Sequence, residues 1–324
     1  MADRMTRGHD SDDRPCVVIF APLPVLTVTV ESRSSADDIH VHAGGQGVWQ
    51  SRMMSSLGVP VVLCSALGGE TGDVLGHLLP IADVTVRTVT VSARNGSYVH
   101  DRRSGEREVI AEAKGTPLDR HELDSLYELT LTEGLTHGRV VLSGPQEDDV
   151  VPAEIYRRLS TDLGANGCAV AADLAGERLE AVLEGKPALI KVSHEELLDD
   201  GRAKSEDAKD LVAAMRSIRD DGAGTIVVSR SGSAPALALP DDSDEVLEIC
   251  MPTLEPADSA GAGDSMTAGI VAALAHGRPV REALQVGAAC GALNVVRHGL
   301  GTGGARAVDT LAERVELCAW KPGG

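Results

Sequence analysis

Aromatic residues are scarce: one Phe, three Tyr and two Trp make up 2% of the 324 residues. Packing therefore falls on Val, Leu and Ala, and the chain lacks the stacking platforms on which single-stranded nucleic acids are held. Positive charge is also short. There are 30 Lys and Arg against 49 Asp and Glu, a formal net charge of −19, and a surface with no basic stripe repels nucleic acid. No apolar run is long enough to cross a bilayer. The six cysteines include no Cys-x-x-Cys pair, which argues against structural zinc or a disulfide framework, and no Gly-Lys-Ser or Gly-Lys-Thr string marks a P-loop. Residues 1–14 are polar and charge-mixed, without the apolar core of a signal peptide. The expectations are a cytoplasmic protein with reduced thiols, a disordered tail over residues 1–15, and no nucleic-acid or membrane partner.

Short apolar runs rich in β-branched residues recur at 17–20, 59–64, 140–143, 168–172, 188–192 and 225–229. Their continuity suits strands buried on both faces of a parallel sheet. Helix-period segments lie between them at 48–57, 151–163, 176–183 and 206–220. This succession predicts an α/β fold with a doubly wound, mostly parallel sheet flanked by helices. Two stretches, about 25–43 and 83–112, break the rhythm, and 85–92 alternates polar with apolar residues. That period describes half-exposed antiparallel strands, a small β-sheet lid whose apolar face offers a surface for a homodimer. The expected layout is one folded domain over 16–318, lid included, and a short tail over 319–324.

The string Asp258-Ser259-Ala260-Gly261-Ala262-Gly263-Asp264-Ser265-Met266 leads into a small, apolar run that ends at His276-Gly277. It reads as a glycine loop opening a helix that stops near Gly277. Glycines at a helix start let bare backbone N–H groups approach an anion, and the helix dipole adds positive potential there. Gly261, Ala262 and Gly263 are thus candidate members of a phosphate cradle. Asp264, in the first turn beside it, is placed to take a proton from a substrate hydroxyl attacking a phosphoryl group. On residue chemistry alone, an ordinary helix-start aspartate after a tight turn is an equal reading.

The whole string resembles the signature of the ribokinase-like (PfkB) carbohydrate kinases. Upstream, Gly44-Gly45-Gln46-Gly47, then Ser56-Leu57-Gly58 and Leu67-Gly68-Gly69 with Gly72, resemble that family's diglycine, helix and glycine turn. Asp173-Leu174-Ala175-Gly176 and Lys191-Val192-Ser193-His194-Glu195-Glu196-Leu197 are similar to the 1-phosphofructokinase and tagatose-6-phosphate kinase branch. The resemblance spans about residues 16–318. It implies an enzyme that moves the γ-phosphoryl group of ATP, with Mg2+, to a hydroxyl of a sugar, sugar phosphate or related small molecule. It further implies Asp264 as the base, the amides of Gly261, Ala262 and Gly263 as the anion hole, and Glu196 as a carboxylate holding magnesium through water. Ser193 stands where that branch has Asn. Ser229, Ser231, Gly232 and Asn294 are the implied nucleotide contacts.

The acceptor end departs from the pattern. Where relatives carry Asn-Pro-x-x-Asp, this chain has Leu23-Pro24-Val25-Leu26-Thr27; where they carry Gly-Gly-Lys-Gly-x-Asn, it has Gln46 and Trp49. The candidate acceptor contacts are Thr27, Gly44, Gly45, Gln46, Trp49, Asp264 and Arg94, the last in a segment where relatives have Thr-Arg, with Arg52 as a further cation. Gln46 offers a phosphate no charge-assisted contact, and the lost polar handles argue against ordinary fructose 1-phosphate chemistry. Three readings stay open: a kinase with a shifted acceptor, a conventional phosphosugar kinase served by lid residues, and a non-catalytic binder of nucleotide or metabolite. His40 and His42 read as exposed lid histidines, and 147–149 as a solvated acidic loop.

Overall fold

The computed structural model describes residues 15–33, 36–105, 107–231, 234–251, 254, 261–295, 301 and 303–322. The expected N-terminal tail and Gly232 lie outside these residues, apart from residue 15. Fourteen strands are described: β1 (Val17–Phe20), β2 (Val25–Arg33), β3 (Ala36–Gly44), β4 (Val61–Leu67), β5 (Val84–Thr90), β6 (Ser97–Asp101), β7 (Glu108–Ala113), β8 (Arg139–Ser143), β9 (Ala169–Asp173), β10 (Leu189–Ser193), β11 (Thr225–Ser229), β12 (Ala236–Leu239), β13 (Leu247–Cys250) and β14 (Glu316–Ala319). The helices are α1 (Gln46–Ser56), α2 (Gly69–Leu78), α3 (Arg120–His137), α4 (Ala153–Ala165), α5 (Gly176–Leu183), α6 (His194–Asp199), α7 (Ala208–Asp220), α8 (Ala262–Ala275), α9 (Val280–Val295) and α10 (Ala305–Ala312).

Ten strands form one sheet in the order β14-β13-β12-β11-β10-β9-β8-β1-β4-β5. From β11 to β5 neighbouring strands are parallel, and β12, β13 and β14 add an antiparallel edge. Alternate residues of the parallel strands feed two cores. Val18, Phe20, Val140, Leu142, Ile190 and Val192 pack with the helices α3, α4, α5 and α7. Val17, Ile19, Val141, Leu189 and Val227 pack with α1, α2, α8 and α9. A strand buried on both faces has no polar face to display, which is why these runs read as continuous apolar segments. No helix among the described residues is long and apolar enough to cross a membrane.

A separate four-stranded sheet, β3-β2-β6-β7, forms the lid. It departs from expectation in two ways. Its central pair, β2 and β6, is parallel. The alternating segment at 85–92, read as a lid strand, instead supplies β5, the edge strand of the large sheet, parallel to β4. An edge strand covered on one face shows the same alternation as a lid strand, so periodicity could not separate them. Buried Asn95 fastens the lid to the core: its Oδ1 accepts from the Gly68 N–H at 2.8 Å, and its Nδ2 donates to the Pro24 and Ala66 carbonyls at 2.9 and 3.2 Å.

Candidate active site

The C-terminal ends of four parallel strands come into register, with Ser143 opposite Asp173, Asp173 opposite Lys191, and Ser193 opposite Ser229. In open α/β sheets this edge is where ligands bind. A cavity of about 760 Å3 opens there, lined among others by Gln46, Gly144, Asp173, Arg178 and Glu196. Its size suits a small-molecule site.

Helix α8 enters from the opposite face of the sheet. Gly261, its N-cap, has φ 71° and ψ 8°, a left-handed conformation that favours glycine. A Cβ at Gly263 would stand 2.5 Å from Lys191 Nζ, so the missing side chain lets the buried ammonium come up under the first turn. The free amides of that turn and the lysine both present positive charge to the same place. Asp264 occupies the third helical position. Burial, and then the charge of Asp173, push its carboxyl up to about 7, against the opposing pull of Lys191 and a hydrogen bond from Gln46.

The residues under Asp264 form a closed polar network. Lys191 Nζ pairs with Asp173 Oδ1 at 3.2 Å, and Asp173 Oδ2 accepts from Thr267 Oγ1 at 2.7 Å and Gln50 Nε2 at 3.1 Å. Gln50 Oε1 in turn accepts from Ser143 Oγ at 2.6 Å. Burial works against the Lys191 charge, but Asp173, Glu196 and Asp264 outweigh it and hold its pKa above the ordinary lysine value. Gln50, Asp173, Lys191 and Thr267 were not singled out from sequence as working parts. The available signal was a charged residue in each of two otherwise apolar runs, Asp173 at the end of β9 and Lys191 within β10.

The structure places the expected site residues unevenly. Gln46, read as facing a substrate phosphate, has its Oε1 on the Gly144 N–H at 2.6 Å and its amide on Asp264. Glu196 lines the cavity and closes a capping box with Ser193: the Ser193 N–H donates to Glu196 Oε2 at 2.7 Å, and Ser193 Oγ accepts from the Glu196 N–H at 3.1 Å. Asn294 is fully buried and accepts the Gly301 N–H at 3.1 Å. Gly301 presses against the Trp49 backbone, 2.4 Å from the Trp49 carbonyl oxygen to where its Cβ would be. Ser229 ends β11, half-buried, and Ser231 is exposed. Arg94 is exposed beside Gly69, and among the described residues no hydrogen bond or ion pair joins it to Thr27, Trp49 or Asp264.

Thr27, Gly44 and Trp49 do converge. A Cβ at Gly44 would lie 2.8 Å from Thr27 Oγ1 and 3.0 Å from Trp49 Cζ2, and Gly45 starts α1 at φ 105°. Trp49 is buried, with the His42 ring 5.5 Å away and the Arg52 guanidinium 4.8 Å from its ring. The two lid histidines therefore differ. His40 is exposed beside Asp38 and Glu31, whereas His42 is half-buried, and burial followed by the charges of Arg52 and Arg107 lowers it to about 4. Glu147 also departs from its reading as solvated loop: it is buried, its carboxyl is raised chiefly by that burial, and Tyr98 of the lid lies 3.5 Å away.

Residues 23–306 match the pfkB family carbohydrate kinase family. The chain belongs to it. It is thus a sugar kinase by family, and the sequence resemblance to this group holds along most of its length. A 1-phosphofructokinase of Bacillus subtilis (strain 168) is 24% identical over 288 residues, 89% of this chain and 92% of that protein. A 1-phosphofructokinase of Borreliella burgdorferi is 25% identical over 274 residues, 83% and 86% of the two chains. The crystal structure of phosphofructokinase-2 from Escherichia coli in complex with potassium superposes with a TM-score of 0.79 at 24% identity, covering 92% of this chain and 98% of that one.

Proposed function

We propose that this PfkB-family kinase transfers the γ-phosphoryl group of ATP to a hydroxyl of a sugar, sugar phosphate or related small molecule, at an acceptor site that departs from that of a 1-phosphofructokinase. The observation that carries this reading is Asp264 in the first turn of a glycine-opened helix, held above the usual carboxylate range beside a buried Lys191. A carboxylate with a raised pKa is a better base at neutral pH than an ordinary aspartate.

In this account Asp264 takes the proton from the acceptor hydroxyl as its oxygen attacks. The amides of Gly261, Ala262 and Gly263 and the Lys191 charge stabilise the negative charge on the transferring group. Gln46 aims the Asp264 carboxylate through its hydrogen bond, and the lid sheet excludes water that would otherwise compete as acceptor. Ser229, Ser231, Gly232 and Asn294 are the proposed nucleotide side, Asn294 by holding the Gly301 loop. Thr27, Gly44, Gly45, Gln46, Trp49 and Arg94 are the proposed acceptor side.

Magnesium fits the residues present. Asp173 is committed to its network, and no group of three or more His, Cys, Asp or Glu able to hold a metal occurs among the described residues. Glu196, in the cavity wall, retains one carboxylate oxygen outside its capping box. That suits an ion held through water by one carboxylate and by nucleotide phosphates. When bound, the ion would neutralise charge on the donor phosphates.

Ile39 and Val41, two residues apart on one face of β3, are exposed, as are Val109 and Ile110 of β7. This supports a homodimer formed through the lid. The catalytic reading is tested by ATP consumption, with magnesium, against fructose 1-phosphate, tagatose 6-phosphate, fructose 6-phosphate, free sugars and nucleosides. Turnover with at least one sugar or sugar phosphate is expected; ATP binding without turnover on any compound would favour a non-catalytic binder.

A further inference from the structure

Gln50 is a fully buried amide on α1 with both of its ends in use. Burying an amide is unfavourable unless its hydrogen bonds are made, and an apolar side chain of the same size would fill the space without that demand. The direction of the bonds is fixed. An ionised carboxylate only accepts, so Asp173 Oδ2 takes Gln50 Nε2 at 3.1 Å, and Gln50 Oε1 is left to take the Ser143 hydroxyl at 2.6 Å. Thr267 Oγ1 donates to the same Oδ2 at 2.7 Å, while Oδ1 faces Lys191 Nζ at 3.2 Å. Asp173 is thus held from α1, α8 and β10 at once.

What holds Asp173 bears on the base. After burial, the charge of Asp173 is the strongest influence on the Asp264 carboxyl, ahead of Lys191, Gln46 and Glu196. These groups act on Asp264 from β9, β10, α1 and α6. Gln46 and Gln50 lie one turn apart on α1, so a single helix supplies a donor to the base itself and a donor to the charge that acts most on it. A donor to Asp173 offsets part of its negative charge. Without that donor the Asp264 carboxyl sits in a more negative field and keeps its proton to higher pH.

We propose that Gln50 is a positioning residue for phosphoryl transfer: pinned by Ser143, its amide holds the Asp173 carboxylate in its pairing with Lys191 and so keeps Asp264 free to accept the proton of the acceptor hydroxyl. The inference rests on the reading of Asp264 as the base. Gln50→Met keeps the length of the side chain and removes both hydrogen bonds. The pH profile of kcat/KM for this variant should climb about 0.5–1 pH unit later than the parent's, which is one lost hydrogen bond expressed on the pH scale, and should reach the parent's plateau above the climb. Below the climb, at about pH 6, that is a fall of about three- to tenfold. An amide that only supports the core would lower the rate evenly at every pH. Ser143→Ala removes the hydroxyl and leaves the Ser143 carbonyl that accepts from the Tyr156 hydroxyl at 3.0 Å. It should move the climb the same way by less, and it carries the test where Gln50→Met does not fold. A readout without turnover is the carboxyl titration of Asp264 in the free protein, followed by carbon NMR and assigned against Asp264→Asn, which should move upward by the same amount in Gln50→Met. A uniform loss across pH, or an Asp264 titration unmoved in Gln50→Met, would overturn the inference and leave the kinase reading in place. Absence of turnover by the parent on every acceptor, with the Asp264 titration still displaced in the variant, would count against the kinase reading and sustain the coupling of Gln50 to Asp264.

Discussion

Lys191 Nζ lies 3.2 Å from Asp173 Oδ1 and directly beneath Gly263, where an added Cβ would stand 2.5 Å away. The pair is almost fully buried, with side chains 7% and 1% exposed. It links β9 and β10 to the first turn of α8, so the charge under the anion hole and the geometry of the base depend on one contact.

Lys191→Met removes one member of that pair and leaves Asp173 buried without its counter-charge. Breaking a buried pair in this way costs about 3–5 kcal/mol. Urea denaturation of the variant should show a loss of that size, and the double variant Lys191→Met/Asp173→Asn should recover much of it.

Gly263→Ala puts a methyl group where the ammonium sits. Displacing Lys191 misplaces the first turn of α8 relative to Asp264, and misplacement by about 1 Å costs on the order of 100-fold in rate. Steady-state kinetics should show the loss in kcat, with ATP binding by calorimetry much less affected.

The pH profile of kcat/KM reports the free enzyme's base. Asp264 is raised to about 7 and works deprotonated, so the rate should climb with pH through neutrality instead of being flat above pH 5. Gln46 holds that pKa down by its hydrogen bond. Gln46→Leu should therefore move the climb to higher pH.

His42 makes stability pH-dependent. Its folded pKa, about 4, lies below the ordinary histidine value of 6.5, so between those values the unfolded chain binds more protons. Stability from this group is present above about 6.5 and is lost as pH falls toward 4. Denaturation of His42→Gln across that window should show a shallower loss than the parent.

Much of this was legible in the sequence because the relevant signals are local. The glycines around Asp264 specify a left-handed N-cap and a close approach, and the six apolar runs from 17–20 to 225–229 became parallel strands of the large sheet. What escaped depends on partners far apart in the chain. Asp173 meets Thr267 across 94 positions and Gln50 across 123, and nothing near Asp173 announces either. The same holds for His42, whose burial comes from Trp49 and the lid register, and for β5, whose alternation is set by its place at a sheet edge. Gln46 was noticed for the charge it lacks, whereas its hydrogen bond to the base could be seen only in three dimensions.

The most direct test is phosphoryl transfer by Asp264→Asn compared with the parent, on the best acceptor from the panel, with ATP and acceptor binding measured in parallel by calorimetry. Loss of a general base typically costs about 100- to 10,000-fold, and the account predicts a fall in kcat within or beyond that range with both affinities preserved. Full turnover by Asp264→Asn would contradict it, and the base would have to be sought elsewhere around the cavity.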